Sequence, residues 1–326
     1  MAETKISTIG VLTSGGDAPG MNPAIRSVVR TALSHDLKVI GVEDGYEGLI
    51  HGNFRQMGAR DVGGILQRGG TILQTRRSQM FREPKGQREA IRQMNNAGID
   101  ALVVIGGDGS INGAHALALQ DINVVSIPGS IDNDIWGTDM AIGVDTALNT
   151  IVEAIDKLRD TASSHSRAFL VETMGRSCGY LAVAAGIVCG AEMVLIPEVD
   201  TPLKEVISTV ENAYRRGKTH AIVIVAEGSR LHTTELAKMI EDMDTGFTTR
   251  VTILGNIQRG GKPSAFDRLL ASRMGVKAVE FLVTGKNDVM TGLQGREVAA
   301  VPMADVIANQ RTISLEYMDM ARVLAR

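Results

Sequence analysis

The chain has 326 residues, of which 44% are hydrophobic, and it carries a formal net charge of −3 with a sequence pI of about 6.1. At roughly 100–200 residues per domain, this length predicts about two domains with sizeable cores and argues against disorder. A slightly acidic chain lacks the overall positive field that binds nucleic acid, and 3% aromatic residues leave few platforms for stacking bases.

Cysteine content and apolar run lengths indicate where the protein works. Cys178 and Cys189 cannot build a disulfide framework or a zinc cluster, which favours a reducing compartment. The N-terminal apolar run IGVL falls short of the roughly 7–15 residues of a signal-peptide core. The most apolar segment, Leu181 to Ile196, contains Glu192 and falls short of the roughly 18 uninterrupted apolar residues of a membrane helix. We therefore expect a cytoplasmic protein with no membrane partner.

Short β-branched runs alternate with amphipathic segments along the chain. The predicted strands are Ile9–Thr13, Val39–Val42, Ala101–Ile105, Val124–Ile127, Phe169–Glu172, Met193–Ile196, Ala221–Ala226 and Val251–Leu254. The predicted helices are Pro23–Leu33, Arg88–Asn95, Thr146–Asp160, Leu203–Arg216, Glu235–Glu241 and Asp267–Val283. Strands such as ALVVI and AIVIVA are apolar at nearly every position, as expected where helices cover both faces of a parallel sheet. The pattern predicts an α/β fold with doubly wound parallel sheets, and the number of strands favours two sheets.

The first glycine-rich motif, SGGDAPGMN, follows a predicted strand and precedes a predicted helix with Pro23 near its start. Asn22 is a candidate N-cap of that helix. Consecutive glycines let backbone N–H groups converge on an anion, and the helix N-terminus adds positive partial charge. Taken alone, the motif is also compatible with a tight turn between a strand and a helix.

Two further loops follow predicted strands in the same way. GGDGS follows ALVVI, where glycines admit a phosphate chain and a carboxylate can hold Mg²⁺ between phosphate oxygens. PGSIDND follows NVVSI and supplies a hydroxyl and two carboxylates, which suit one base and one metal or positioning role. The carboxyl ends of the strands in an open α/β sheet lie along one crevice, where ligands bind. Together the three loops therefore favour a phosphate-binding site over three unrelated turns.

Arginines beside glycines form the last constellation. A guanidinium binds phosphate bidentately, and a neighbouring glycine leaves room for the ligand. The candidates are Arg76, Arg77, Arg82, Arg167, Arg176, Arg250 and Arg259.

The motifs GGDAPGMN, GGDGS, PGSIDND, SSHSR, MGR, PE, AEG and IQRGG follow one another in the order and spacing of a known family. On these residues, spread over nearly the whole chain, the sequence resembles the bacterial-type ATP-dependent 6-phosphofructokinases. The resemblance implies two Rossmann-like domains. Residues 1–138 plus 256–305 would form the ATP-binding domain, and 139–255 plus 306–326 the fructose 6-phosphate-binding domain.

The resemblance also implies which residues bind and react. The nucleotide would be bound by Gly16, Arg77, Ser78, Gly107, Asp108, Gly109 and Ser110, and Asp108 would hold Mg²⁺. The sugar phosphate would be bound by Ser130, Asp132, Met174, Gly175, Arg176, Glu227, Asn256 and Arg259, with Arg167 and Arg250 supplied by an adjacent subunit. Sharing of this kind implies a homotetramer. The catalytic residues would be Asp132, Arg77, Asp134 and Arg176.

In the implied reaction, ATP phosphorylates the 1-hydroxyl of fructose 6-phosphate to give fructose 1,6-bisphosphate and ADP, the committed step of glycolysis. Asp132 would accept the hydroxyl proton, while Mg²⁺ and Arg77 offset the developing charge. The identity of the donor rests on Gly109 and Gly129, because pyrophosphate-using relatives usually carry Asp and Lys there. A carboxylate at position 109 would repel the α-phosphate of ATP.

The sequence departs from the family at several positions. Ser130 replaces the usual threonine and Asn256 a common histidine, changes that affect substrate affinity more than chemistry. Ala59, Gly63 and Gly64 stand where the effector site for ADP or phosphoenolpyruvate usually has Arg, Ser and Asp, so we expect weak or altered allosteric control. The effector residues that do match are Arg26, Arg30, Arg159, Glu192, Arg216 and Lys218.

Three alternatives remain open at this point. A pyrophosphate-dependent phosphofructokinase would share most motifs, and an NAD or lipid kinase would share a GGDG turn. A nucleotide-binding regulator without catalysis is the third, although such a protein would not require both Asp108 and Asp132.

Overall fold

A computed structural model describes residues 6–325. The strands are β1 (Thr8–Ser14), β2 (Lys38–Val42), β3 (Phe54–Met57), β4 (Ala101–Gly106), β5 (Asn123–Pro128), β6 (Arg167–Thr173), β7 (Met193–Leu195), β8 (Ala221–Ala226), β9 (Thr248–Ile253), β10 (Val289–Gln294) and β11 (Glu297–Pro302). The helices are α1 (Met21–Ser34), α2 (Gly45–His51), α3 (Pro84–Ala97), α4 (Asp108–Ala118), α5 (Val144–His165), α6 (Tyr180–Cys189), α7 (Leu203–Arg215), α8 (Thr233–Asp242), α9 (Ala265–Val283), α10 (Met303–Ala308) and α11 (Leu315–Leu324).

The chain divides into two compact units. The first contains residues up to Ile131, Ile135–Thr146 and Arg259–Gln310, and the second contains Asp132–Asp134, Ala147–Gln258 and the residues from Arg311 onward. The chain therefore leaves the first unit within α5 and returns to it after residue 258. Which ligand each unit binds stays a prediction.

The first unit is built on a seven-stranded sheet, counted over the described residues, with the order β11-β10-β5-β4-β1-β2-β3. Its central strands are parallel, with Val11 opposite Val103 and Val103 opposite Val125. The outer pairs β2–β3 and β10–β11 are antiparallel. β1 and β4 are buried at every position, as expected of strands covered by helices on both faces.

The second unit contains a four-stranded, fully parallel sheet within the described residues, with the order β7-β8-β6-β9. Leu170, Val223 and Val225 of this sheet pack with Val206 and Val210 of α7 in a buried cluster. Burying such side chains stabilises the fold by about 25 cal/mol for each Å² of apolar surface removed from water. The predicted α/β fold with two sheets of largely parallel strands is confirmed.

The predicted capping role of Asn22 is wrong. Helix α1 begins at Met21 and is preceded by Gly20, whose φ of 115° lies in the left-handed region that glycine adopts easily. The Asn22 side chain instead accepts a hydrogen bond from Ile72 N (2.8 Å) and donates to the carbonyl of Arg68 (3.1 Å). Asn22 thus fixes a neighbouring loop rather than the helix end.

Neither cysteine is exposed. Cys178 and Cys189 are both buried as free thiols, and burial raises the pKa of each to about 11. Over residues 6–325, no helix has both the length and the apolar character needed to cross a membrane.

Candidate active site

The loop after β1 belongs to the first unit and is shaped by its glycines. Gly15 has a φ of 86°. A Cβ atom at Gly16 would lie 2.5 Å from Nη1 of Arg259, and the same Nη1 donates to the Asp17 carbonyl (3.2 Å). The structure therefore brings Gly16 and Arg259 together, and Arg259, predicted on the sugar side, contacts the predicted nucleotide loop.

The loop after β4 lies next to the first loop because β1 and β4 are neighbours in the sheet. A Cβ at Gly15 would lie 3.2 Å from the hydroxyl oxygen of Ser110, which is 2% exposed. The Ser110 carbonyl accepts a hydrogen bond from the buried Tyr46 hydroxyl (2.6 Å). The two glycine loops therefore lie close together at Ser110. The hydrogen bond from Tyr46 that holds Ser110 could not be predicted from the sequence.

Helix α4 begins directly in this second loop. Gly107 precedes it, Asp108 and Gly109 occupy its first turn, and both Asp108 and Gly109 are exposed. Among the described residues, no atom lies within 4 Å of a Cβ built on Gly109. A helix N-terminus with free space in front of it can accept a phosphate group through its backbone N–H groups.

Asp108 is the carboxylate at which Mg²⁺ is predicted. It stands in the first turn of α4, and among the described residues no three His, Cys, Asp or Glu side chains form a metal-holding group. Magnesium usually keeps several waters and takes one or two carboxylates together with substrate phosphates. An exposed carboxylate in the first turn of a helix fits the predicted role of holding an ion that arrives together with a phosphorylated ligand.

A third segment of the first unit carries Arg77 and Ser78. The Thr75 hydroxyl donates to the Gly15 carbonyl (2.8 Å), so this segment is tied to the first glycine loop. The Arg77 side chain is exposed. The Ser78 hydroxyl accepts from Phe81 N (3.1 Å) and so stabilises the turn that follows. Arg77 is thus placed beside the loop by its neighbours while its guanidinium stays accessible.

The loop after β5 carries Gly129 and Ser130. Gly129 N donates to the Gly106 carbonyl (3.0 Å), and Ser130 N donates to the Ile142 carbonyl (3.1 Å). A Cβ at Gly107 would lie 3.8 Å from Ser130 Cβ. Ser130 therefore lies next to the second glycine loop within the first unit.

Asp132 and Arg176 lie together in the second unit. Asp132 is 1% exposed, and its Oδ2 is 3.3 Å from Arg176 Nε. Arg176 has a φ of 51°, an uncommon conformation for a residue with a side chain. A buried carboxylate needs a partner of opposite charge, and Arg176 supplies it.

The turn Met174–Arg176 is held by two side chains from other parts of the second unit. Glu227 Oε1 accepts from Arg176 N (2.9 Å) and Gly175 N (3.3 Å), and the fully buried Gln258 accepts from Met174 N (3.2 Å). A Cβ at Gly175 would lie 2.5 Å from the Cys178 carbonyl. Glu227, predicted to bind sugar, thus holds the backbone that presents Arg176, and Gln258 is a site residue that sequence reasoning missed.

Four further predicted residues, Arg167, Arg250, Asn256 and Asp134, also belong to the second unit. Arg167 starts β6, and Arg250 lies on the neighbouring edge strand β9 with its side chain exposed. Asn256 is exposed in a 3-10 turn, and Asp134 is half-buried. The side chains of Arg250 and Asn256 are therefore open to solvent, whereas Arg167 is half-buried.

Sequence comparison identifies the family. Residues 8–282 match the family described as phosphofructokinase. The ATP-dependent 6-phosphofructokinase of Thermotoga neapolitana is 50% identical over 318 residues, which cover 97% of this chain and 99% of the relative. The ATP-dependent 6-phosphofructokinase of Brevibacillus brevis is 47% identical over 317 residues, which also cover 97% of this chain and 99% of the relative. The chain belongs to the phosphofructokinase family.

Solved structures share the fold. Pichia pastoris phosphofructokinase in the T-state superposes with a TM-score of 0.89 and 37% identity, over 93% of this chain and 35% of the yeast chain, so this chain spans about a third of that larger protein. A pyrophosphate-dependent phosphofructokinase from Marinobacter aquaeolei gives a TM-score of 0.85 at 20% identity, over 98% of this chain and 92% of the other. The second likeness concerns the fold alone.

Proposed function

We infer that this protein transfers the terminal phosphoryl group of ATP to the 1-hydroxyl of fructose 6-phosphate, giving fructose 1,6-bisphosphate and ADP in glycolysis. The observation that carries this function is the buried Asp132 beside Arg176, in a chain that aligns over 97% of its length with relatives named for that activity. The glycine loops after β1 and β4 are the proposed binding site of the phosphoryl donor, ATP.

The first unit binds the nucleotide in this proposal. Backbone N–H groups of Gly16, Gly107 and Gly109 approach phosphate oxygens because these residues carry no side chain of their own, and the N-terminus of α4 adds positive partial charge. Arg77 neutralises charge on the transferred group. Asp108 would hold Mg²⁺, which would further neutralise that charge when bound.

The second unit binds the sugar phosphate in this proposal. Asp132 accepts the proton of the 1-hydroxyl as that oxygen attacks the γ-phosphorus. Arg176 compensates the buried carboxylate and is itself fixed through its backbone by Glu227. Arg167 and Arg250 bind the 6-phosphate from an adjacent subunit, so the active form is a homotetramer. The enzyme acts in the cytoplasm, where free thiols stay reduced.

The decisive test replaces the proposed base. Asp132→Asn removes the proton acceptor but keeps shape, so turnover should fall by roughly 10²–10⁴-fold. The affinity for ATP, measured by calorimetry, should change less than about twofold because Asp132 contacts no nucleotide in the proposal. Asp200→Asn, which changes an exposed carboxylate paired with Arg230 in the same unit, is the control and should keep its turnover. Unchanged turnover in Asp132→Asn would show that the base has been misassigned.

The donor is tested in the same assay. Initial rates of fructose 6-phosphate phosphorylation are measured with Mg²⁺ and either ATP or pyrophosphate. Activity with ATP alone is the expected result, and activity with pyrophosphate alone would overturn the choice of donor while leaving the family assignment intact.

A further inference from the structure

We propose that Asp267, a buried carboxylate in the first turn of α9, is a positioning residue that fixes both the first glycine loop and the Ser130 turn for phosphoryl transfer. The proposal rests on the function inferred above and adds to it a residue that touches neither substrate. Asp267 is 0% exposed.

Three donors converge on this carboxylate. Oδ1 accepts from Gly143 N (2.8 Å), and Oδ2 accepts from Thr146 N (2.8 Å) and from the Thr146 hydroxyl (2.5 Å). Burial raises the pKa of Asp267 above its ordinary value, while the hydrogen bonds from Thr146 and Gly143 act in the opposite direction. A carboxylate in this position fixes the backbone from Gly143 to Thr146 at two points.

That short segment supports the Ser130 turn. Ile142, the neighbour of Gly143, donates to the Pro128 carbonyl (3.0 Å) and accepts from Ser130 N (3.1 Å). Gly129 and Ile142 form an isolated parallel bridge. The backbone of Ser130 is therefore held by Ile142, and the next residue, Gly143, donates to Asp267.

The same segment also supports the first glycine loop. Gly143 has a φ of 106°, and a Cβ atom there would lie 2.8 Å from Ala18 Cβ and 3.1 Å from Pro19 Cδ. The loop thus rests directly on the backbone of Gly143. One carboxylate consequently sets the position of two loops that come from different strands.

A second layer of hydrogen bonds fixes the direction of the Thr146 hydroxyl. Ser264 N donates to Thr146 Oγ1 (2.9 Å), which in turn donates to Asp267. The Ser264 hydroxyl donates to Asp145 (2.5 Å) and accepts from Asp267 N (3.2 Å). The first turns of α5 and α9 are therefore connected by a network of hydrogen bonds among Asp145, Thr146, Ser264 and Asp267, and this network fixes the orientation of these side chains.

The test compares variants with a matched control. Asp267→Asn places an amide against backbone N–H groups, and Thr146→Val removes only the hydroxyl with little change of shape. Thr146→Ser restores the hydroxyl. Ser27→Ala is the control, because the Ser27 hydroxyl is also buried and also bonds α9, at the Ala271 carbonyl (3.2 Å), but touches neither loop.

Two readouts separate this proposal from the proposed function. Hydrogen exchange of peptides covering residues 15–24 and 128–143 should become about tenfold faster or more in Asp267→Asn, and to a smaller extent in Thr146→Val, because local opening controls exchange. In the assay with fructose 6-phosphate and ATP, kcat should fall roughly 10- to 100-fold, the range expected for small misplacements of reacting groups, while both KM values change less than about threefold. Thr146→Ser should recover exchange and kcat, and Ser27→Ala should change neither.

The outcomes decide each point on its own. Unchanged exchange in Asp267→Asn and Thr146→Val overturns the positioning role whatever the enzyme's substrate is. Faster exchange with an unchanged kcat overturns it as well, since the loops would then move without consequence for transfer. A wild-type protein that fails to phosphorylate fructose 6-phosphate refutes the proposed function, and exchange alone then decides whether Asp267 positions the loops.

Discussion

Gly109 and Gly129 are the two glycines on which the proposed preference for ATP as the donor depends. A Cβ atom at Gly109 would meet none of the described atoms within 4 Å, whereas a Cβ at Gly129 would lie 3.3 Å from Met21 Cε. Position 109 is thus open, while position 129 is packed against a core side chain. The expectation that both glycines leave space for ATP therefore finds structural support at Gly109 only.

Gly109→Asp should weaken ATP binding without harming the fold. Space is available, and a carboxylate in the first turn of α4 is favourable for the helix. Repulsion between that carboxylate and the α-phosphate should raise the KM for ATP by roughly 10- to 100-fold. Like charges about 4 Å apart interact by about 4 kcal/mol at an effective dielectric of about 20, and solvent at this exposed position screens part of that repulsion. Gly109→Ala is the uncharged control and should raise KM much less. Equal effects of the two variants would mean that bulk, and not charge, excludes the nucleotide.

Motif residues could be predicted from the sequence, but several of their contacts could not. Glu227 lies 51 residues after Arg176, and nothing local indicates that its carboxylate accepts from the Arg176 backbone N–H. The contact between Arg259 and Asp17 spans 242 residues. The Asn22 prediction failed because a local capping preference competes with long-range partners, here Ile72 N and the Arg68 carbonyl.

At the scale of elements, buried runs were the most predictable. Strands such as β4 and β8 are buried at every position, so their apolar sequences identify them directly. β3 was missed because its sequence FRQM is largely exposed and only four residues long. Helix α4 was missed because Gly109 and Gly113 lower helix propensity within a segment that looks like a loop.

Of the residues expected to bind effectors, Arg26 and Arg30 lie on α1, Arg159 lies on α5, and Glu192, Arg216 and Lys218 lie in the connections next to β7, α7 and β8. Lys218 Nζ is 3.0 Å from Glu192 Oε1, and Glu192, which is 7% exposed, also accepts from Ile222 N. A cavity of about 620 Å³ in the second unit is lined in part by Glu192 and Arg216. The Lys218 ammonium, a charge that could bind an anion, is therefore already paired with a carboxylate.

We accordingly expect weak control by ADP or phosphoenolpyruvate. Either compound should shift the half-saturating concentration of fructose 6-phosphate by less than about threefold, below the common range of allosteric coupling. Lys218→Ala should leave this small response unchanged. A strongly sigmoidal saturation curve that ADP renders hyperbolic would contradict the expectation.

At the scale of the whole molecule, we expect a homotetramer, so the molar mass measured by analytical ultracentrifugation should be about four times the chain mass of 34.8 kDa. Sharing of sites can be tested by mixing two defective proteins. Asp132→Asn lacks the base and Arg167→Ala lacks a phosphate ligand, so each alone should be nearly inactive. Reassembly of equal amounts should restore activity in about a quarter of the sites, because half of the subunits carry each intact residue and the two variants associate at random in the closed oligomer.

The control for this experiment mixes each variant with itself under the same conditions. Recovery only in the mixed sample supports a site built by two subunits. If the mixture stays as inactive as its components, Arg167 acts within its own chain.

The division of the first unit into separate stretches of chain has a consequence for synthesis on the ribosome. β5 lies beside β10, yet the chain makes the whole of residues 147–258 before β10 and β11 follow. Until then β5 is an open sheet edge, and such edges invite pairing with other chains. The nascent chain thus passes through a long interval in which its first unit is unfinished, and a pause of translation before Val289 prolongs the time during which the edge of β5 is open to other chains.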